Sequence, residues 1–320
     1  MSPHFFRNLK HALKPLELTD KPLFDRYARR TPTKLSSYAF APIYVWQDFF
    51  RFYWTIIDDR FCVFAKQVED SRNGGDDYFM PIMPMGGPPS ERSIREAYTF
   101  MLTENRARQI ARIENVPADG LPFFHAMGFA SALKEMEYLY ETHAMVHLKG
   151  NRYKSKRAAY NAFVRRYPSA RIQPYHPDDL ADCLRLYESW LLARRAKYDD
   201  STYQAMLDDS RSAHRTGLMN YEALGLVGSV VRIDGELSGY TFGYRLNSEV
   251  FCVLFEVTHP QVKGLAQFLF REFCREHSAN RLIHAMGDSG LENIKGVKLS
   301  YRPCELIPSY NVFLPLDHET

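Results

Sequence analysis

The ten residues Val257-Thr258-His259-Pro260-Gln261-Val262-Lys263-Gly264-Leu265-Ala266 stand between two segments of different periodicity. Before them, Val250 to Phe255 is an apolar run of strand length. After them, Gln267 to His277 has helical spacing, with Phe268, Leu269 and Phe273 able to share one face. A strand that enters a helix through Gln-x-x-Gly-x-Ala can come close to an anion. Small residues remove side-chain bulk, and the free N–H groups of the first helical turn point at the ligand. Gln261, Gly264 and Ala266 are therefore the candidate cofactor-binding positions. The plain alternative is a tight strand-to-helix turn that needs Gly264 for its geometry alone.

The flanking sequence supplies a sheet for this turn to close. Leu226 to Ile233 is mostly apolar and β-branched, and Asp234-Gly235 is a strong two-residue hairpin signal. Leu237 to Leu246 gives a second strand, with Tyr240, Phe242 and Tyr244 at period two, and Glu249 to Val257 a third. Arg281 to Ala285 is short enough for another strand, Gly290 to Val297 for a brief helix, and Tyr301 to Phe313 for the last strands. Helices are expected over Leu180 to Lys197 and roughly Tyr203 to His214. Two helices, a three-strand meander, a loop, a helix and more strands is an α/β (α+β) order. With the Gln-x-x-Gly-x-Ala turn it resembles the N-acetyltransferase (GNAT) superfamily, whose acyl-CoA loop lies at that place.

The first half reads as a worn copy of the second. Leu13 to Leu18 and Arg171 to Pro174 are short strands, each followed by an acidic helix start. Phe52 to Ile57, Asp58-Asp59 and Phe61 to Lys66 form a hairpin pattern, with Tyr78 to Met83 as the next strand. Met85-Gly86-Gly87 falls where a phosphate loop would, but Pro88 and Pro89 follow and the glycine spacing is absent. Ser93 to Gln109 is the matching helix, capped by Ser93, and Met136 to Tyr140 a later strand. The expected organisation is a degenerate GNAT-like domain over 1–148, a basic connecting helix over 149–168 and a second GNAT-like domain over 169–320. Each domain is expected as a mixed, mostly antiparallel sheet flanked by helices. In the connector, a helix from Lys154 aligns Arg157, Tyr160 and Val164 on one side, and Pro168 stops it.

Composition narrows the class. The 320 residues suit two domains, and 45% hydrophobic with 25% charged residues is ordinary for a globular protein. A net charge of +3 does not by itself announce a nucleic-acid binder. Five scattered cysteines without a CxxC pair indicate reduced thiols in a cytoplasm and no zinc site. Met1-Ser2-Pro3-His4-Phe5-Phe6 opens no apolar signal-peptide core, and no run approaches the ~20 apolar residues that span a bilayer.

Further segments carry a second resemblance. Glu137-Tyr138-Leu139-Tyr140, the run Leu148-Lys149-Gly150 to Phe163 with Tyr153, Lys156, Arg157 and Asn161, and Asp288-x-Gly290 followed by Lys295-x-x-Lys298-Leu299-Ser300-Tyr301-x-Pro303 resemble the C-terminal domain family of phosphatidylglycerol lysyltransferases. Ser37-Tyr38-Ala39-Phe40 and Ile43-Tyr44-Val45-Trp46 are similar to that family's N-terminal signature. The resemblance covers nearly the whole chain and implies a tandem pair of acetyltransferase folds. It also implies transfer of an aminoacyl group from a charged tRNA to a lipid headgroup. Four positions depart from the family pattern: His284-Ala285-Met286 replaces Asn-x-Glu, Glu256-Val257 replaces Glu-Lys, and Phe270 stands where an Asn is usual.

Acyl transfer needs a base for the acceptor, donors for the oxyanion and an acid for the leaving group. Glu256, at the end of a central strand, is the candidate base, since an apolar setting raises a carboxyl pKa toward neutrality. If Phe255 faces the core, alternation turns Glu256 to the other side. Asp288 is a candidate to orient a substrate amine, or else a turn former before Gly290. The resemblance makes Tyr301 the acid for a departing group; the alternative is a core tyrosine. Lys156, Arg157 and Lys298 are the candidate substrate and phosphate contacts. The aromatic run Trp46, Phe49, Phe50, Phe52, Tyr53 and Trp54 reads as core or the contact between halves, with a stacking platform for lipid or base as the alternative. The leading function is an acyltransferase that takes acyl-CoA or aminoacyl-tRNA as co-substrate, with no tightly bound cofactor. Its acceptor is an amine or hydroxyl such as a phospholipid headgroup at a membrane surface. The rival is a non-catalytic ligand- or partner-binding module on the same fold.

Overall fold

Two pairs of left-handed residues set the strand register. Asp58 and Asp59 have φ of 49° and 56°, and Asp234 and Gly235 have φ of 51° and 88°. Positive φ at both central residues is the hairpin geometry that matches strand twist. In the computed structural model, which describes residues 9–68, 77–197 and 201–315 (without the side chains of 201–203), each pair joins two long strands. Met1 to Phe6, read above for a signal peptide, lies outside those residues.

The chain divides into Met1–Met136 with Ile307–Thr320, and Glu137–Leu306. The first unit opens with β1 (Lys14–Pro15), α1 (Lys21–Ala28) and α2 (Phe40–Tyr44). The hairpin of β2 (Phe50–Ile57) and β3 (Arg60–Gln67) then pairs with β1 and with β4 (Tyr78–Phe79) in the antiparallel order β1-β2-β3-β4. α3 (Glu91–Glu104) follows, then β5 (Ile113–Pro117) and α4 (Leu121–Ala126). Ser90, not Ser93, caps α3, because its hydroxyl accepts from the Ser93 N–H and Ser93 itself is buried. Met80 forms a parallel bridge to Ile113, so strand, helix and parallel strand recur here in shortened form. The aromatic run serves this unit's core: Trp54 stacks on Phe61 at 5.0 Å and Phe50 meets Phe79 at 5.3 Å.

The second unit is entered within β6 (Ala130–Glu141) and left within β12 (Glu305–Phe313). α5 (Thr142–His147), α6 (Lys154–Arg166), β7 (Arg171–Pro174), α7 (Leu180–Arg195), α8 (Ser201–Met219) and α9 (Tyr221–Leu224) come first. β8 (Val227–Ile233), β9 (Glu236–Arg245), β10 (Val250–Thr258), α10 (Leu265–Glu276), β11 (Leu282–Gly287) and α11 (Glu292–Leu299) complete it. The strand order is β7-β8-β9-β10-β11-β6, antiparallel throughout except for β10 and β11. This is an α+β, GNAT-like arrangement, with mostly antiparallel sheets flanked by helices.

α6 belongs inside this unit rather than between halves, because its apolar side lies on α10. Phe163 is buried 4.7 Å from Phe268, and Tyr160 stacks on Phe268 at 5.7 Å. Val164, which the sequence aligns with Arg157 and Tyr160, is 41% exposed. The buried side of α6 is Tyr160 and Phe163. Residues 307–315 count with the first unit because β12 pairs with β5, placing Ser309 opposite Pro117.

α6 also explains one glycine. Gly264, the residue before α10, has φ of +86°, and a Cβ there would lie 2.7 Å from the Ala159 carbonyl oxygen and 2.9 Å from Phe163 Cβ. Gly290 has φ of +71° with open space around it. Gly264→Ala is therefore expected to combine backbone strain with overpacking and lose about 1–3 kcal/mol beyond Gly290→Ala, which meets strain alone of roughly 1–2 kcal/mol. Urea unfolding of the two variants measures the difference.

Candidate active site

β10 and β11 run parallel only briefly. Val250 faces Leu282, Phe251 faces Ile283, Cys252 faces His284, and the pairing ends there. β10 continues to Thr258, while β11 bends at Met286, whose φ is +59°. The bend frees backbone groups, and side chains satisfy them. The Met286 N–H donates to His284 Nδ1 at 2.8 Å. Lys298 Nζ donates to the Ala285 carbonyl at 2.6 Å and to the Gly287 carbonyl. His284 Nε2 lies 2.9 Å from the buried Glu137 carboxylate on β6. Buried backbone polar groups need partners, and this set supplies them where the ladder stops.

Glu256 stands on β10 beyond that divergence. Phe255 is buried and stacks on His214 of α8 at 4.0 Å, so Glu256 faces the opposite side, toward α10. Its carboxyl is solvent-exposed, yet protein atoms surround it closely enough for burial to push its pKa up to about 8. Both hold when a side chain lines a recess: water reaches it but cannot build a full hydration shell. Burial, which disfavours the charged form, is the cause of the rise.

Three of the sequence candidates meet here. Tyr301, in the turn after α11, is crowded by protein, and burial followed by the Glu256 charge raises its hydroxyl pKa far above the ordinary value. The Gln267 side chain, from the first turn of α10, hydrogen-bonds Tyr301. Lys156 Nζ of α6 sits 4.0 Å from the centre of the Tyr301 ring, and burial lowers its pKa. The Cys274 thiol is buried close enough to Glu256 for the carboxylate to raise its pKa after burial does. Behind Tyr301 lie Phe270 at 5.0 Å and Tyr140 at 6.2 Å.

Three other candidates hold the fold instead. Asp288 is 5% exposed, and both of its oxygens accept, from the Tyr138 hydroxyl at 2.5 Å and the Gly290 N–H at 3.0 Å. It closes the turn before α11. Arg157 donates to the carbonyls of Leu148 and Gly150, fixing the chain after α5. Lys298 serves the bend of β11.

The strand-to-helix turn forms as its spacing predicts. Gly264 is left-handed, Gln261 and Lys263 are exposed, and the N–H groups of Ala266 and Gln267 find no protein acceptor among the described residues. However, α6 lies against Gly264 with a carbonyl oxygen foremost, which an anion would meet as a repulsive dipole. The glycine is explained by helix packing. Sequence reasoning missed Gln267, the residue directly after the motif, and Cys274, about two turns further along α10. No side chains of the described residues are grouped so as to hold a metal ion.

The comparisons fit this architecture. Residues 28–313 match the family described as phosphatidylglycerol lysyltransferase, C-terminal, and the chain belongs to that family. A conserved protein of unknown function from Bacteroides thetaiotaomicron has the same fold, with 22% identity, a TM-score of 0.81, and coverage of 95% of this chain and 99% of that one. The structure of L-PGS from Bacillus licheniformis shares the fold at 12% identity and a TM-score of 0.60, over 84% of this chain and 85% of that chain. An uncharacterized protein of Mycoplasmoides gallisepticum is 28% identical over 181 residues. The match spans about half, 55%, of each of those two chains.

The Glu256 environment has a sign that can be measured. A carboxyl near 8 in the fold and near 4.5 when unfolded makes the native state bind more protons between those values. The stabilisation is complete below the unfolded value and is lost as pH rises through about 8. Wild-type stability should therefore fall between pH 5 and pH 9 by more than that of Glu256→Gln, as followed by urea midpoints.

Proposed function

We propose that the chain is an acyltransferase that takes an aminoacyl group from the 3′ end of a charged tRNA and gives it to a hydroxyl or amine, such as a phospholipid headgroup. The observation that carries this reading is the meeting of Glu256, Tyr301 and Lys156 beside the diverging strands. Glu256, ionised, takes the proton of the acceptor, whose oxygen or nitrogen attacks the acyl carbon. The Lys156 ammonium stabilises the oxyanion, and Tyr301 passes its proton to the departing ribose oxygen. A new ester or amide forms as the old ester breaks. A base with a pKa of about 8 suits work near neutral pH, where the free and protonated forms coexist.

Two observations favour tRNA over coenzyme A as the donor's carrier. α6 crowds the glycine at which pyrophosphate would sit. From Thr142 to Pro177 the chain has eight Lys or Arg and no Asp or Glu, and Lys149, Arg152, Lys154, Arg165 and Arg166 are exposed there. Such a face suits a polyanion. The binding-module reading draws on the commitment of Asp288, Arg157 and Lys298 to the fold. It predicts a ligand that is bound and never turned over.

Transfer from radiolabelled aminoacyl-tRNA to phosphatidylglycerol vesicles tests the proposal. Activity should rise with pH through about 8, the value carried by Glu256. Glu256→Gln should lower kcat by about 10²–10⁴-fold, while tRNA binding is retained and weakens steeply with salt. A Glu256→Gln protein as active as wild type would remove the reading. Tight, salt-insensitive binding of acetyl-CoA, unchanged in Lys156→Ala, would move the donor to coenzyme A.

A further inference from the structure

The acyl group has a side chain, and the charges around the recess discriminate among side chains. This inference rests on the transfer reading above, with the acyl carbon held between Glu256 and Tyr301. A cationic side chain brought into a poorly hydrated recess needs a carboxylate to offset its lost hydration.

The carboxylates on the surrounding elements are already engaged. Glu137 faces His284 at 2.9 Å, and the two oxygens of Asp288 accept from Tyr138 and Gly290. On α10, Glu272 accepts from Tyr160 at 2.7 Å and pairs with Arg275, and Glu276 accepts from Ser229 at 2.7 Å. Glu256 remains, and as the base of the transfer read above its carboxylate is committed to the acceptor's proton rather than to a side-chain cation. The one charge that reaches Tyr301 in a ring contact is positive, the Lys156 ammonium at 4.0 Å. Phe270 and Tyr140, both buried, also pack against that ring.

We infer that the site accepts an uncharged acyl group with an apolar or aromatic side chain and discriminates against a cationic one, and that Lys156 sets the preference. An ammonium on the incoming side chain would face the Lys156 ammonium without a free carboxylate between them. An alkyl or aryl side chain meets aromatic faces and leaves no buried charge unpaired.

Three non-hydrolysable 3′-aminoacylamino-3′-deoxyadenosines provide the test: norleucyl, lysyl and phenylalanyl. Norleucine and lysine have side chains of nearly the same shape that differ in charge, and all three analogues carry the same α-amino group. Titration calorimetry at pH 7 should give the norleucyl and phenylalanyl analogues at least tenfold lower Kd than the lysyl one. Lys156→Met, which keeps the alkyl stem over Tyr301, should narrow the gap, and Lys156→Glu should reverse it. A lysyl analogue that binds as tightly as norleucyl overturns the inference and leaves the transfer reading standing. Binding of none of the three overturns both. A preference unchanged in Lys156→Met, with thermal unfolding showing the variant folded, removes the role assigned to Lys156.

Discussion

The separation of two parallel strands governs the second unit. β10 and β11 share three residue pairs and then part, with Cys252 and His284 as the last to face each other. Ending a ladder inside a sheet leaves N–H and C=O groups without partners, which a fold tolerates only where others replace them. Lys298 answers the carbonyls of β11, His284 Nδ1 answers the Met286 amide, and Tyr138 with Asp288 closes the turn beyond. These contacts are structural in kind, and they keep open the place where Glu256 stands.

The same separation sets the electrostatics. A carboxyl on a paired central strand would be wholly buried or pushed to the sheet edge. Past the point of divergence it is wet but poorly hydrated, and burial raises its pKa. Tyr301 and Lys156 arrive from α11's exit turn and from α6, elements far apart in the chain, and neither is held by a backbone contact to β10. Their convergence depends on α6 lying on α10, which is the packing of Tyr160 and Phe163 against Phe268.

Local signals in the sequence were read well where the structure is local. Asp234-Gly235 and Asp58-Asp59 each adopt two positive φ angles, as hairpin chemistry requires. Glu256 was placed correctly because the argument compared it with its neighbour Phe255 alone. A longer alternation would have failed, since the register of β10 shifts between Val253 and Phe255 and reverses the faces. Asp288 and Lys298 were less legible. The partners that define them are Tyr138, 150 residues away, and a bend whose carbonyls exist only after folding. Which side of α6 is buried is likewise set by a distant partner: its helical pattern offers Val164 and Phe163 almost equally, and packing on α10 buries Phe163.

Membership of the phosphatidylglycerol lysyltransferase C-terminal family gives the scaffold, and the recess gives the chemistry its character. No helix among the described residues is long and apolar enough to cross a membrane. The protonation state of one carboxyl decides whether this site works as described. Carboxyl-labelled glutamate and ¹³C NMR resolve it directly, with the Glu256→Gln protein assigning the signal. An inflection near pH 8 that vanishes in the variant is the expected result. Titration of Glu256 in the ordinary carboxylate range would contradict the account.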